Sequence, residues 1–193
     1  MATDLILPER LQGVEPVRSI RTPAELNYQF TAGKATSQFL RGISQRRILG
    51  QRCPVCSMVY VPPRGACPTC GVPTEEEIDL PHVGTVTTFC VVNVSFYGQG
   101  MELPYVSALI LLDGSDIPLM HLIQEVPAAE VRMGMRVEAV WVDDTDLGPT
   151  LESIRYFRPT GEPDAEFDTY SANVLGTRSH EGQTFAHLEG SPS

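Results

Sequence analysis

A mainly β chain with N-terminal helices, a small metal-held ribbon and a five-stranded barrel is predicted from three observations. From His82 onward the sequence is a series of short runs rich in Val, Thr, Ile and Phe, separated by turn residues, which is the pattern of an all-β unit. Before it, Leu49 to Pro73 is dense in Cys, Pro and Gly, a composition that cannot build a core of ordinary size. Ahead of both lies an apolar stripe at helical spacing. The 193 residues and 42% hydrophobic content suffice for one ordinary domain, or two small ones plus tails.

Residues 1–21, with Pro8, Gly13 and Pro16, show neither helical nor alternating periodicity and read as an extended arm. Residues 22–48 read as N-terminal helices. Thr22 can cap, Pro23 fits a first turn that needs no amide hydrogen, and Glu25 completes a capping box. Gly33 interrupts the pattern, and Phe39, Leu40 and Ile43 resume it before Arg46, Arg47 and Gly50, so two short helices are expected. The ribbon is placed at 49–75 and the barrel at 76–160.

Within the barrel the strands expected are Gly84 to Val94, Tyr105 to Leu112, Ile117 to Gln124, Arg136 to Val142 and Thr150 to Phe157. The breaks between them hold turn formers such as Tyr97-Gly98-Gln99-Gly100 and Asp113-Gly114-Ser115-Asp116. Five short strands with a longer third connection point to a barrel of the oligonucleotide/oligosaccharide-binding (OB) type, because closure removes exposed edges. An open meander is the alternative. Residues 161–193, with six acidic residues and one Arg, are expected to form a flexible acidic tail.

Charge is uneven along the chain, whose net value is -10. Residues 1–50 hold seven Arg/Lys against four Asp/Glu, whereas 76–160 hold four against thirteen. An acidic barrel repels the phosphate backbone whose neutralisation supplies most non-specific nucleic-acid affinity, so nucleic acid is not an expected partner. A single-stranded nucleic-acid-binding zinc-ribbon/OB-fold protein remains the alternative reading, since both modules are used that way. The N-terminus has no secretory pattern and Val106 to Leu112, the most apolar run, is far short of the roughly 20 residues of a membrane helix. A cytoplasmic protein without a membrane partner is expected.

Cys53-Pro54-Val55-Cys56 and Cys67-Pro68-Thr69-Cys70 are two Cys-x-x-Cys knuckles separated by ten residues. Two residues between cysteines let both thiolates turn to one point, and two knuckles supply the four sulfurs of a tetrahedral zinc site. Four thiolates leave no open position, so one structural zinc is expected, held by Cys53, Cys56, Cys67 and Cys70. Two disulfides, a redox dithiol and an iron site are the competing readings of the same cysteines. The fold class is thus mainly β: N-terminal helices, a rubredoxin-like zinc ribbon and an OB-fold barrel.

No other residues assemble a catalytic set, and neither catalytic nor organic-cofactor residues are assigned. Cys90 reads as a small core residue. His121 reads as a hydrogen-bonded barrel histidine and His82 as structural, while Asp143, Asp144 and Asp146 lack the order of a calcium loop and read as a solvated turn. Arg46, Arg47 and Arg52 read as surface charges. The segment Phe96 to Pro104, with Tyr97, Met101 and Tyr105, reads equally as a partner-contacting loop or as one packed on its own barrel.

Several of these landmarks occur together in one family. They are Arg52-Cys53-Pro54-Val55-Cys56, Tyr60-Val61-Pro62-Pro63-Arg64, Cys67-Pro68-Thr69-Cys70-Gly71 and Gly84-Thr85-Val86. Pro104-Tyr105-Val106, Val131-Arg132-Met133-Gly134-Met135-Arg136-Val137 and Tyr156-Phe157-Arg158-Pro159 follow in the same order. In this the chain resembles the acyl-CoA-associated zinc-ribbon/OB-fold proteins from about Ala35 to Pro159. The resemblance implies a non-catalytic accessory subunit that pairs with a thiolase-like enzyme or an aldolase, with acyl-CoA at the shared interface. It also implies that the catalytic residues belong to the partner, and it leans toward catabolism of bulky acyl-CoA substrates such as steroid side chains.

Overall fold

The computed structural model describes residues 31–95 and 100–174, together with Gly13, Leu26, Asn27 and Gln29. The chain divides into two units, Met1–Thr31 and Ala32–Ser193, and the second holds every element below. The expected arm and the helix expected from Thr22 lie outside the described residues, except that Leu26, Asn27 and Gln29 are described and not helical.

Helix α1, Lys34–Ile43, is the second of the two expected helices. Ala35, Phe39 and Ile43 recur every four residues, fall on one face and are buried. Its far end closes with the Ser44 amide donating to Leu40 O at 3.1 Å, and Arg46 then adopts φ 55° to turn the chain back. Gly42 is the point of closest approach to the next strand, since a Cβ there would lie 2.9 Å from Leu49 Cδ1.

Strands β1 (Ile48–Arg52), β2 (Val59–Tyr60) and β3 (Glu76–Leu80) form an antiparallel sheet in the order β2-β1-β3. No strand was expected in residues 76–80, which were placed in the barrel domain; all five pair with β1, from Ile48↔Leu80 to Arg52↔Glu76. The ribbon therefore extends to Leu80, and the barrel begins three residues later. The guanidinium of Arg47 forks onto Asp79 at 2.9 and 2.7 Å beside that pairing.

The barrel consists of β4 (Val83–Val92), β5 (Tyr105–Leu112), β6 (Leu119–Ile123), β7 (Arg136–Trp141) and β8 (Ile154–Pro159). They close in the order β4-β5-β6-β8-β7, with β7 returning to β4 and β6 running parallel to β8. In chain order this is 1-2-3-5-4, the OB-fold connection, and all five expected strands are present. β5 shows the alternation plainly: Val106, Ala108, Ile110 and Leu112 point inward and are buried.

β4 carries a bulge between Val86 and Thr88. Its extra residue, Thr87, is fully buried and donates its hydroxyl to Leu109 O at 3.1 Å. One added residue reverses the in/out phase, so Val86 faces the core before the bulge whereas Phe89 and Val91 pack against it afterward. Cys90 is consequently exposed, which corrects its reading as a core residue.

One core joins the helix, the ribbon and the barrel, and a smaller cluster surrounds the cysteines. Phe39, Ile43, Ile48, Leu49, Val59, Val61 and Leu80 from the helix and ribbon join Val86, Ile110, Val137, Ile154 and Phe157 from the barrel in a single cluster. Beyond β8 the chain stays packed as far as Val174. Asp164 receives both arms of Arg132 at 2.6 and 2.7 Å, the Ala165 amide donates to Gly134 O at 2.8 Å, and Tyr170 is buried. The expectation of a free tail from residue 161 is corrected for 161–174, and the rest of it lies outside the described residues. Among the described residues no helix is long and apolar enough to cross a membrane.

Candidate metal centre

β1 delivers Cys53 at its end, and the chain turns through Pro54, Val55 and Cys56 before entering β2. The Cys53 amide donates to Met58 O at 2.9 Å and the Ser57 amide to Cys53 O at 3.0 Å. The second knuckle repeats the arrangement: Cys67 donates to Val72 O at 2.8 Å and Gly71 to Cys67 O at 2.9 Å. Both turns need a left-handed residue four places after the first cysteine. Gly71 takes φ 68° at little cost, while Ser57 takes φ 62° against the usual preference of a residue with a Cβ.

The four sulfurs of Cys53, Cys56, Cys67 and Cys70 lie within 4.8 Å of one another, and they are the metal-capable cluster found among the described residues. Tetrahedral zinc with sulfurs at about 2.3 Å places those sulfurs about 3.8 Å apart. The Cys56 Sγ to Cys67 Sγ distance of 3.7 Å fits that spacing. No disulfide joins the described cysteines, whose thiols are free. The donor set fits one structural zinc ion, with four thiolates filling its coordination sphere.

Further groups face the sulfurs. The amides of Val55 and Cys56 approach Cys53 Sγ at 3.4 and 3.5 Å, and the Cys70 amide approaches Cys67 Sγ at 3.4 Å. Tyr60, buried in β2, places its hydroxyl 3.2 Å from Cys67 Sγ. That hydrogen bond is the largest influence on both partners: it draws the Cys67 thiol down to about 6 and, with burial, pushes the Tyr60 phenol up to about 12. With zinc on Cys67 the sulfur carries no proton, and the phenol is the group that can donate. Arg64 lies over the Tyr60 ring at 5.7 Å. Tyr60 was legible as a residue between the knuckles, but its place beside Cys67 depends on which side chain β2 turns inward.

The remaining candidates take quieter places. His121 accepts from the Leu122 amide at 2.9 Å through Nδ1, stands edge-on to Phe157 and has its pKa lowered by burial. His82 accepts from Trp141 Nε1 at 3.2 Å. Arg46, Arg47 and Arg52 are each paired, with Asp144, Asp79 and Glu76 respectively. Asp143 and Asp146 close an ordinary turn. Of the loop from Phe96 to Pro104, residues 96–99, including Tyr97, lie outside the described residues, and Met101 is partly exposed.

Fold and site together define a zinc-ribbon protein whose ribbon is built onto an OB-fold barrel. Two family profiles match in succession: a ChsH2 rubredoxin-like zinc ribbon domain over residues 41–76 and a ChsH2 C-terminal OB-fold domain over residues 77–142. The chain is 39% identical over 95 residues to a DUF35 domain-containing scaffold protein of Methanocaldococcus jannaschii, covering 49% of this chain and 67% of that relative. It belongs to this ChsH2/DUF35 family of zinc-ribbon and OB-fold proteins. It is also 26% identical over 153 residues to a probable enoyl-CoA hydratase alpha subunit of Thermomonospora curvata, covering 78% of this chain and 46% of the relative. A solved structure, an Ltp2-ChsH2(DUF35) aldolase, shares the fold with a TM-score of 0.51 at 24% identity, over 68% of this chain and 98% of that one.

Proposed function

We propose that this chain is a non-catalytic accessory subunit that binds a thiolase-like enzyme or aldolase acting on acyl-CoA substrates, stabilises it and shapes its acyl-CoA site. The observation that carries the reading is the 39% identity, over 95 residues, to a protein described as a scaffold. Cys53, Cys56, Cys67 and Cys70 are the ligands of its zinc. With four thiolates the metal has no open position for water or substrate, so it serves structure rather than chemistry. The relative named as an enoyl-CoA hydratase subunit supports an acyl-CoA context, and steroid side chains or other bulky acyl groups are the substrates we favour. The reducing cytoplasm suits a site made of free thiolates.

The test is co-expression with thiolase-like and hydratase-like reading frames, followed by affinity capture and an acyl-CoA cleavage assay. A thiolase-like protein that co-elutes and is active only in the complex is the expected result. Elution of this chain alone, with no gain of activity in either candidate, overturns the reading. Retention on single-stranded DNA at moderate salt would replace it with a nucleic-acid-binding role.

A further inference from the structure

The four zinc ligands are not equivalent toward solvent. Cys53 and Cys67, the first cysteine of each knuckle, are 0% and 1% exposed, whereas Cys70 is partly buried and Cys56 is exposed. The tip of the first knuckle is open around Cys56, since Pro54, Val55 and Ser57 are exposed as well. We propose that Cys56 is an oxidative modification site, at which peroxide opens the zinc site by joining Cys56 to Cys67 in a disulfide.

Hydrogen bonding divides the two sulfurs in the same way. Cys67 Sγ is approached by the Cys70 amide at 3.4 Å and by the Tyr60 hydroxyl at 3.2 Å, while Cys56 Sγ has a single backbone donor turned toward it, the amide of Met58. Donors draw electron density from a thiolate and take up the space through which an oxidant would approach. Exposure alone does not make a sulfur reactive, because the thiolate is the form that is oxidised. Zinc holds its cysteines as thiolates, so Cys56 combines that charge with access. Cys67 Sγ stands 3.7 Å from Cys56 Sγ, close enough to resolve an oxidised sulfur after a small shift. Cys90 is exposed too, but it stands outside the cluster and so lacks both the metal and a resolving cysteine.

The chemistry balances with hydrogen peroxide as the oxidant. The Cys56 thiolate attacks one peroxide oxygen, the O–O bond breaks and hydroxide leaves, which gives a sulfenic acid. The Cys67 thiolate then attacks the Cys56 sulfur; the S–S bond forms, the S–O bond breaks and a second hydroxide leaves. Two thiolates lose two electrons, and one peroxide is reduced to two hydroxides. With half of its ligands gone the metal is released. The cluster of Met58, Tyr60, Val72 and Ile117 around the sulfurs then loses its centre.

The test exposes the full zinc-loaded chain, carrying Cys90→Ser so that only the ligand cysteines can react, to hydrogen peroxide in the presence of a chromogenic zinc chelator. Arg52, Arg64 and Arg132 are successive tryptic sites, so Cys56 falls in peptide 53–64 and Cys67 in peptide 65–132. The expected result is peroxide-driven zinc release together with a disulfide that links the two peptides through Cys56 and Cys67. Cys56→His leaves three cysteines and one histidine, a donor set that holds zinc, and slows the release by about tenfold or more, whereas Cys70→His leaves its rate near that of the parent. Zinc retained under peroxide, a disulfide between any other pair of cysteines, or equal release from the parent and Cys56→His overturns the proposal. The peptide readout uses intact zinc ligands, so it decides the matter even where a histidine variant fails to load. Partner capture is measured separately, and either result here leaves the accessory-subunit reading standing.

Discussion

Val59 and Asp116 exchange two hydrogen bonds: the Val59 amide donates to Asp116 Oδ2 at 2.7 Å and the Asp116 amide donates to Val59 O at 3.0 Å. Val59 opens β2 of the ribbon, while Asp116 sits in the turn between β5 and β6 of the barrel. The pair ties the strand beside the zinc cysteines to the barrel, and the next residue, Ile117, packs against Cys53, Tyr60 and Cys67.

Asp116→Ala leaves the amide of a buried residue without its acceptor and is expected to cost about 1–3 kcal/mol. Asp116→Asn retains a side-chain oxygen and is expected to cost less. Urea unfolding of both variants checks the order, and equal losses would show that the charge, rather than the acceptor, matters.

Tyr60→Phe keeps the buried ring and removes only the hydroxyl that faces Cys67. A group that orients a metal ligand in this way typically accounts for about 10–100-fold in metal affinity. Competition with a chromogenic chelator should show a loss in that range, with the barrel's near-ultraviolet spectrum unchanged.

The two knuckles make opposite predictions at equivalent turns. Gly71→Ala places a Cβ at φ 68° and should destabilise the zinc-loaded chain by about 1 kcal/mol, whereas Ser57→Gly removes one at φ 62° and should cost nothing or stabilise slightly. Thermal midpoints at fixed zinc concentration separate them. A larger loss for Ser57→Gly than for Gly71→Ala would contradict the geometry.

His121 carries a pH prediction. Its folded pKa is below the ordinary 6.5 of a histidine, first because burial penalises the charged ring. Below about 6.5 the unfolded chain binds the proton more readily, so stability is full above that pH and declines as the solution is acidified through it. Denaturation between pH 7.5 and 5 should show this slope, reduced in His121→Gln. Zinc content must be followed in parallel, because acid also competes for the thiolates.

These predictions use both what was legible in the sequence and what was not. The cysteine knuckles were legible because ligation imposes short local spacings, and the barrel strands because alternation is local as well. β3 was not expected as a strand, because Glu76–Leu80 is a short acidic run whose pairing with β1 is long-range. Cys90 was misplaced because the bulge at Thr87, which reverses the phase, has no separate mark in a run of Val and Thr. Asp164 and Tyr170 were hidden in a polar, acidic stretch, although Arg132 and Gly134 hold them in place. Tyr60 lay within a quoted motif, but its bond to Cys67 depends on the direction of one side chain. Long-range pairing is the common element in what escaped.

The connection between ribbon and barrel is only Pro81-His82, and the core passes beneath it without a break. A hinge needs slack chain and a cleavable interface, and this junction provides neither. The ribbon and barrel should therefore move as a set square does, holding one angle and one span. Any protein gripping both ends would meet a gauge of fixed length, so its own parts would have to adjust to that length.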